Sequence, residues 1–400
     1  MFHRFVIENA KYLTAGGMLT FSSCLGQTFF ISIFAAQIMG AFDLTDGEWG
    51  SAYALGTFAS GILMIWAGGL ADQFRVRKLA VIFLLAIAAV TIAMALNPFA
   101  ALLPVLIFGL RFAGQGMLSH IGIVAMARWF TANRGKAVSV ATLGFSIGEA
   151  FLPVIFAALI SAFYWRWVWV ATAIIPLLFI PILLSMLRAE RTPQSIASEQ
   201  TVAGMGGKHW TRMDVLKHPL FWCLVPLILS PAAWGTALFF QQVHLAQVKG
   251  WTHVEFAALF PIYTFTSILF ALISGWAVDR FGARLLMALY MLPMILSFLV
   301  FQHASTLLGA SLGMVFLGIM QGANATVPVS FWSEVYGSRH IGAIKALAVG
   351  VMVFGSALGP AVTGLLIDAG QNFPDQMPMI ALATLCATAL AGFGIWRFAR

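Results

Sequence analysis

Charged residues are scarce in this sequence. They make up 9% of its 400 residues, whereas soluble domains carry about a quarter. The apolar residues, at 61%, fall into long runs such as Leu79–Leu96 and Trp167–Leu187. Each run is long enough to cross about 30 Å of hydrocarbon as a helix. A water-soluble fold is therefore excluded, and the chain is predicted to lie in a membrane.

Three further absences narrow the class of protein. Period-two alternation of polar and apolar residues is missing, so helices are favoured over a barrel. The cysteines, Cys24, Cys223 and Cys386, are few and scattered in apolar segments, which argues against a disulfide framework or a metal cluster. Walker, zinc-protease and nucleophile-elbow signatures are absent as well. We therefore expect no enzyme, no cofactor and no metal.

The apolar runs predict an all-α membrane protein of twelve transmembrane helices, in two pseudo-symmetric six-helix bundles. The bundles are expected at 1–187 and 219–400, joined by a polar cytoplasmic linker at 188–218. The predicted helices are 13–40, 49–70, 78–97, 100–126, 137–162, 166–187, 219–247, 254–276, 284–303, 306–330, 341–366 and 377–397.

The basic residues predict the orientation of these helices. With the N-terminus inside, nineteen of the 22 lysines and arginines fall in cytoplasmic connections; Arg166 and Lys249 fall outside, and Arg111 lies within a helix. This distribution follows the positive-inside rule and favours two cytoplasmic termini in a cell (inner) membrane. Because the basic residues occur in short groups between helices, the net charge of +8 does not indicate nucleic-acid binding.

An internal repeat relates the two halves. Sliding the chain by 207 positions gives eight identities, which are Glu48 with Glu255, Thr57 with Thr264, Phe58 with Phe265, Ser60 with Ser267, Gly68 with Gly275, Asp72 with Asp279, Phe74 with Phe281 and Arg77 with Arg284. A one-residue slip then aligns Gln115-Gly116 with Gln321-Gly322. A fixed register that preserves loop charges predicts two similar bundles.

The repeated loop carries a family resemblance. The segment Gly68-Gly-Leu-Ala-Asp72-Gln-Phe-Arg-Val-Arg77-Lys78 resembles the loop between helices two and three of the major facilitator superfamily, and a second copy follows at 275–284. Helix four adds Arg111-Phe-Ala-Gly-Gln115-Gly116, similar to that superfamily's arginine-bearing motif. The resemblance implies a secondary transporter that works by alternating access. It specifies the cargo far less, because one fold serves many substrates.

The charged loop residues are interpreted as cytoplasmic latches. A carboxylate at a helix end can accept hydrogen bonds from the N–H groups of a neighbouring helix start and pair with nearby arginine. The alternative is that these charges are simply solvated. The residues assigned to this cytoplasmic gate are Asp72, Arg75, Arg77, Asp279, Arg280 and Arg284.

Arg111 and Glu149 are predicted to lie near the middle of the bilayer. Arg111 follows about eleven residues of helix four and Glu149 about twelve of helix five, which places both at a similar depth. A buried guanidinium costs at least about 2.5 kcal/mol and needs a polar partner. The pair could bind an anionic substrate, with Glu149 and Arg111 carrying the proton coupling, or brace the two helices.

Other polar and aromatic residues of the predicted helices are candidates to contact a solute. Together with Arg111 and Glu149 the substrate-binding candidates are Gln27, Gln115, Trp234, Gln241, Tyr263, Gln321 and Asn324. For each of the polar residues, hydrogen bonding between helices is an equal alternative, and for Trp234 and Tyr263 lipid-facing or core packing is the favoured one. Pro226, Pro231 and Gly235 predict a kink or local break in helix seven.

The preferred hypothesis is a secondary transporter of a small organic anion such as a monocarboxylate, by proton symport. The run Leu238-Phe-Phe-Gln-Gln-Val-His244 resembles bacterial members near the monocarboxylate and oxalate/formate branch. The alternatives are a proton-driven exporter of drug-like or cationic compounds and a non-transporting sensor or assembly factor. The expected partners are a small-molecule substrate, H+ and the lipid bilayer, with no nucleic acid and a monomeric state.

Overall fold

The structure, a computed structural model, describes residues 2–130, 133–188, 203–337 and 339–399. Within these ranges the chain is helical, and its one β-type pairing is an isolated bridge between Ala203 and Gly337. Eleven of the described helices are long and apolar enough to cross a membrane, or twelve if one bent pair counts as a single span. The predicted all-α membrane fold is therefore confirmed.

The spans are numbered α1 to α12 in chain order. α1 is the bent pair Ala10–Gly26 and Thr28–Phe42. The others are α2 Asp46–Ala67, α3 Val76–Leu96, α4 Ala100–Trp129, α5 Gly135–Ala162, α6 Trp165–Met186, α7 Pro219–Phe240, α8 His253–Phe281, α9 Ala283–His303, α10 Leu307–Tyr336, α11 Gly342–Asp368 and α12 Phe373–Phe398.

Local sequence signals explain where several spans begin and end. Thr252 and Glu255 form a reciprocal capping box at the start of α8. Pro219 occupies the first turn of α7, where its missing N–H costs nothing. α8 ends at Gly282, whose φ of 82° is a conformation that glycine adopts easily. These signals end one helix and start the next within a few residues, so the connections between the helices are short.

By their internal contacts the helices form two compact units. The first contains Met1–Thr45 and Ser51–Ser198, and the second contains Asp46–Gly50 and Glu199–Arg400. The first turn of α2 thus belongs to the second unit, although the rest of that helix belongs to the first. The sequence predicted a simple division at the linker and did not anticipate this turn.

The described end of the predicted linker packs against the second unit. Thr211 and Asp214 form a capping box that starts a short helix, Arg212–Lys217. The Trp210 ring lies edge-on against Tyr336 at 5.3 Å between centroids and against His218 at 4.8 Å. The rest of the predicted linker, 189–202, lies outside the described residues.

α1 differs from its prediction as an uninterrupted helix. It bends by 52° where Gln27 separates its two parts. The sequence around Gln27 contains no proline, so the bend has no local covalent cause of the usual kind. Its cause is tertiary, and it lies in the contacts that Gly26 makes with α4.

Candidate functional site

The candidate site is built on the break in α1. Cys24–Gly26 form a tight 3₁₀ turn, and Gln27 then has extended backbone at φ −85° and ψ 154°. The amides of Phe30 and Ile31 donate to the carbonyl of Gln27 as the helix restarts. The carbonyl of Gly26 is therefore released from the helical ladder and is available to another partner.

Gly26 is required because α4 approaches it backbone to backbone. A Cβ at Gly26 would lie 2.1 Å from the carbonyl oxygen of Leu110 and 2.8 Å from the amide nitrogen of Gln115. A Cβ at Gly114 would lie 2.7 Å from the Cα of Gly26. Facing glycines thus bring the two helices close, as small residues do at membrane helix interfaces.

α4 is irregular at the same level. Its residues Arg111–Leu118 wind as a π-helix, which is wider than an α-helix and is frequent at functional sites. Gly114 and Gln115 both lie inside this segment. The irregular parts of α1 and α4 therefore meet, and Arg111 stands at the start of the π segment.

Arg111 is buried, with 3% of its surface exposed. Its Nη1 donates to the carbonyl of Gly26 at 3.4 Å and to the hydroxyl of Thr28 at 3.3 Å. The guanidinium carbon lies 5.5 Å from the centre of the Tyr53 ring, in a cation–π arrangement. These contacts offset the cost of placing a cation inside the membrane.

Tyr53 connects the other members of this group. It is fully buried, and its hydroxyl lies 2.5 Å from the Thr28 hydroxyl. Tyr53 is on α2 and Thr28 on α1, so the group joins three helices of the first unit around one guanidinium. Together Arg111, Thr28 and Tyr53 are called the Arg111 cluster below.

One edge of the Arg111 guanidinium remains available. Its Nε is buried and has no hydrogen-bond partner among the described residues. Guanidinium has five N–H donors in a fixed fork, and the protein occupies the Nη1 side. The carbonyl, hydroxyl and ring that contact Arg111 bring no negative charge, so the Arg111 cluster contains a buried cation whose Nε has no partner among the described residues.

Glu149 is buried on α5, with 8% of its surface exposed. Its neighbour Gly148 packs against Cys24, because a Cβ at Gly148 would lie 2.5 Å from the Cys24 sulfur. The Glu149 charge also acts on the Cys24 thiol. Among described residues the direct Arg111–Glu149 ion pair suggested by their depth is not formed, because Arg111 turns to Gly26 and Thr28 instead.

The remaining predicted residues of the first unit lie at the break. Gln27 is its extended residue and is half-buried. Gln115 lies in the π segment of α4, is half-buried as well, and has its backbone beside Gly26. Both amides are thus placed at the irregular backbone next to the Arg111 cluster.

The predicted residues of the second unit lie on α7, α8 and α10 and in the turn that follows α7. Trp234 is half-buried in a π-helical segment of α7, Pro231–Gly235. Gln241 is buried just after α7 and donates to the Thr363 hydroxyl on α11 at 3.3 Å. Tyr263 on α8 is buried against the Phe239 ring at 5.1 Å. Gln321 and Asn324 are half-buried on α10.

At the loop between α8 and α9, the carboxylate that contacts a helix start is Glu334 of α10. Glu334 Oε2 accepts from the amide of Ala283 at 3.0 Å, at the start of α9, and Oε1 lies 3.0 Å from Arg284 Nε. Arg284 also donates to the carbonyl of Ala399. Asp279 and Arg280, which were predicted to form the latch, are exposed.

The corresponding loop of the first unit uses a cation. Arg128 Nη1 donates to the carbonyl of Ala71 at 2.6 Å, beyond the end of α2. Arg75 and Arg77 are exposed. The side chain of Asp72, predicted to be the latch carboxylate, lies outside the described part of the structure.

Sequence reasoning missed Thr28, Tyr53 and Glu334. Thr28 and Tyr53 carry no charge and lie in apolar runs, so their composition gave no reason to select them. Glu334 was available as one of only 14 acidic residues, and it stands near the predicted end of a helix. A search for acidic residues near helix ends beside basic loops could have found it.

Comparison with known proteins places the chain in a broad family. The family model described as Major Facilitator Superfamily matches residues 17–267 and 232–400. Among solved structures, a bacterial homolog to the human lysosomal transporter Spinster, inward-facing and unoccupied, has 17% identity and a TM-score of 0.71, covering 98% of this chain and 97% of that one. The nucleoside transporter NupG has 15% identity and a TM-score of 0.72, covering 97% and 99%.

Two curated relatives match in sequence. Monocarboxylate transporter 13 from Bos taurus is 28% identical over 282 residues, which is 68% of this chain and 62% of that protein. The class H tetracycline resistance protein from Pasteurella multocida is 26% identical over 139 residues, 35% of this chain and 34% of that protein. The chain thus spans less than two thirds of the length of each curated relative it matches.

Proposed function

Because the chain belongs to the major facilitator superfamily and is a membrane transporter rather than an enzyme, we propose that it carries a small organic anion, most simply a monocarboxylate. The proposed mechanism is alternating access, in which two similar bundles expose one binding site to each side in turn. No nucleotide is required in this mechanism, since the driving force is an ion gradient.

The observation that carries this proposal is the buried Nε of Arg111, which has no partner among the described residues. A carboxylate is planar and matches two parallel N–H donors of a guanidinium, here Nε and the adjacent Nη2. Gly26 and Thr28 hold Nη1 and so fix the plane of the fork. An anion bound there would neutralise a cation that has no carboxylate among its described contacts.

The relative named monocarboxylate transporter supports the same substrate class. It is similar over 68% of this chain, and the similar region includes more than one bundle by length. The resemblance of the α7 region to the monocarboxylate and oxalate/formate branch points the same way. Arg111 would then be the residue that recognises the carboxylate.

Coupling to H+ is proposed through Glu149. It is a buried carboxylate on α5, beside the broken part of α1 at Cys24. Glu149 is therefore suited to carry one proton with each anion, as a symporter requires.

A second candidate function is proton-driven export of a drug-like or cationic compound. The similarity to a tetracycline resistance protein favours it, although it extends over only 35% of this chain. Glu149 would then bind the cationic substrate or exchange it for a proton. We place either transporter in a cell (inner) membrane as a monomer, with both termini in the cytoplasm, following the positive-inside distribution of basic residues.

Purified protein in proteoliposomes separates the two functions. The expected result is uptake of labelled lactate or formate driven by an inward H+ gradient, and its loss in Arg111→Ala. Dye or tetracycline extrusion without carboxylate uptake would replace the anion proposal by the export function.

A thermal-shift series on the same preparations tests binding without transport. Carboxylates are expected to stabilise the wild type and to leave Arg111→Ala unchanged, while amines and drugs stabilise neither. If carboxylates stabilise Arg111→Ala as strongly as the wild type, Arg111 is not the binding residue.

A further inference from the structure

The first turn of α2, Asp46–Gly50, is held in the second unit by specific contacts. The amide of Gly47 donates to Asp368 Oδ2 at 3.0 Å, so a carboxylate at the end of α11 caps the start of α2. Trp49 is buried and stacks on Phe240 of α7, with 5.6 Å between centroids and 19° between planes. This segment is called the α2 turn below.

Small residues make the contact close. A Cβ at Gly47 would lie 2.3 Å from Asp368 Oδ2, and one at Gly50 would lie 2.5 Å from the carbonyl oxygen of Pro360. On the α11 side, a Cβ at Gly364 would lie 2.4 Å from the carbonyl oxygen of Asp46. Because backbone touches backbone, the α2 turn cannot shift slightly; it is either seated or released.

A histidine lies at the edge of this contact. His244 Nδ1 is 3.9 Å from Asp46 Oδ1, beyond hydrogen-bond distance. The Asn372 side chain lies beside the imidazole, and the charge of Asp368 also acts on Asp46. His244 Nε2 is buried and has no partner among the described residues.

The other titratable groups near the α2 turn either contact other residues or are exposed. Lys249 donates to the carbonyl of Gln302, and His253 faces Gln242 Oε1. Glu255 is engaged in the α8 capping box. Asp43 and Glu48, on either side of Asp46 in the chain, are exposed. The charged group that contacts His244 at the α2 turn is therefore Asp46, which Asp368 influences in turn.

The burial of Nε2 determines which protonation state of His244 is favoured in the seated α2 turn. A neutral imidazole can leave Nε2 as the unprotonated nitrogen, which costs little when buried. An imidazolium must donate from both nitrogens, and a buried N–H without an acceptor costs about 1–3 kcal/mol. The charge of Asp46 Oδ1, 3.9 Å from Nδ1, offsets part of this cost, although it makes no hydrogen bond. The seated α2 turn therefore selects neutral His244.

We propose that His244 is a proton-binding site whose protonation releases the α2 turn from the second unit. In the released state the imidazole reaches water and can donate from both nitrogens. The proton and the seated turn thus compete for His244. The inference does not depend on which solute the protein carries.

The direction of the pH effect follows from linkage. Burial lowers the pKa of His244, while the Asp46 carboxylate and the Asn372 hydrogen bond oppose this shift less strongly. The seated state therefore binds a proton less readily than the released state, so acidification favours release. The effect begins as pH falls through the ordinary range of histidine, near 6.5.

Fluorine NMR of the full chain labelled with 5-fluorotryptophan tests the proposal in detergent. The Trp49 signal is assigned by its absence in Trp49→Phe. When the pH is lowered from 8 to 5, the fluorine chemical shift of Trp49 in the wild type is expected to move from the value of a stacked ring to the value of a solvated ring. His244→Gln, which cannot take up the proton, is expected to remove this change, and His303→Gln, on an exposed histidine, is expected to keep it.

Asp46→Asn provides a second, opposite prediction. Without the neighbouring carboxylate, the seated state disfavours the imidazolium more strongly, so the release between pH 8 and 5 should become larger. A Trp49 signal that stays constant in the wild type, or that changes equally in His244→Gln, overturns the proposal. A smaller change in Asp46→Asn, with the variant folded as judged by its thermal unfolding at pH 8, overturns it as well.

Discussion

The two units interrupt their helices at equivalent places but use the interruption differently. α1 breaks at Cys24–Gln27, and α7 becomes π-helical at Pro231–Gly235, 207 positions later. The α1 break faces α4 through Gly26. The α7 segment instead faces α11, where a Cβ at Gly359 would lie 2.0 Å from the carbonyl oxygen of Ala233. The repeat therefore preserved the irregular backbone and changed its neighbour.

The chemical difference is sharper than the geometric one. In the register that aligns Gln115-Gly116 with Gln321-Gly322, Arg111 corresponds to Leu317, which is buried. A charged site in the first unit is thus matched by apolar packing in the second. The comparison suggests that duplication supplied the scaffold, and that recognition of the solute is concentrated in one half.

Substitution of Arg111 is expected to have the largest effect on this comparison. Arg111→Ala should weaken carboxylate binding by at least about 100-fold, because charge-assisted hydrogen bonds contribute about 1.5–3 kcal/mol each. Arg111→Lys keeps the charge but loses the fork, and should recover only part of the affinity. Isothermal titration with purified protein measures both. Equal affinity in Arg111→Ala and the wild type would show that the charged residue of the first unit does not bind the anion, and the chemical difference between the units would then have no role in recognition.

The glycine at the α1 break gives the next largest effect. Gly26→Ala should lower the free energy of unfolding by about 1–3 kcal/mol, because its methyl group would overlap α4. The matched variant is Gly235→Ala in the α7 segment, where a Cβ meets nothing within 4 Å. Thermal unfolding in detergent should therefore separate the two variants. A large loss in Gly235→Ala would contradict the claim that Gly26, unlike Gly235, has no room for a side chain.

Loss of one hydroxyl tests how the Arg111 cluster is ordered. Tyr53→Phe removes the hydrogen bond to Thr28 and should cost about 1 kcal/mol. If that bond orders Thr28 against Arg111, KM for the anion should rise about fivefold while the maximal rate changes little. Tyr164→Phe, at an exposed ring, is the control. Unchanged KM in Tyr53→Phe would restrict Tyr53 to a packing role.

The smallest effect is expected at the loops that follow α2 and α8, where the two units use different contacts. A cation, Arg128, meets a carbonyl of the first unit, whereas an anion, Glu334, meets the start of α9 in the second. Glu334→Gln should cost at most about 1 kcal/mol of stability, because the ion pair with Arg284 is half-exposed. Asp279→Asn should change stability by less than about 0.5 kcal/mol. Thermal unfolding at low and high salt compares them, and a larger loss in Asp279→Asn would favour the latch role predicted for Asp279.

The fold was predictable because hydropathy acts over whole segments. Each apolar run became a helix, since a backbone in lipid must satisfy its own hydrogen bonds. The position of Arg111 was predictable for a related reason, as a buried charge is rare enough to stand out. The bend at Gln27 was not predictable, because it arises from the approach of Gly26 to Gly114, far away in the sequence.

The partners of Arg111 were equally inaccessible to sequence reasoning. Similar depth suggested Glu149, but depth does not fix which faces of two helices meet. A released backbone carbonyl and a threonine hydroxyl took the role, and neither has a signature in the sequence. The α2 turn escaped prediction because assignment of five residues to the other unit depends on tertiary contacts alone.

The bend of α1 also acts as a lever. Thr28–Phe42 forms an arm of about 22 Å at 1.5 Å per residue, tilted by 52° from the part before it. If Gly26 gave up Arg111 and the helix straightened, the tip of the arm would travel on the order of 20 Å. A change of one hydrogen bond beside the guanidinium would thus be magnified at the far end of α1, and occupancy of a small site would be converted into a large displacement.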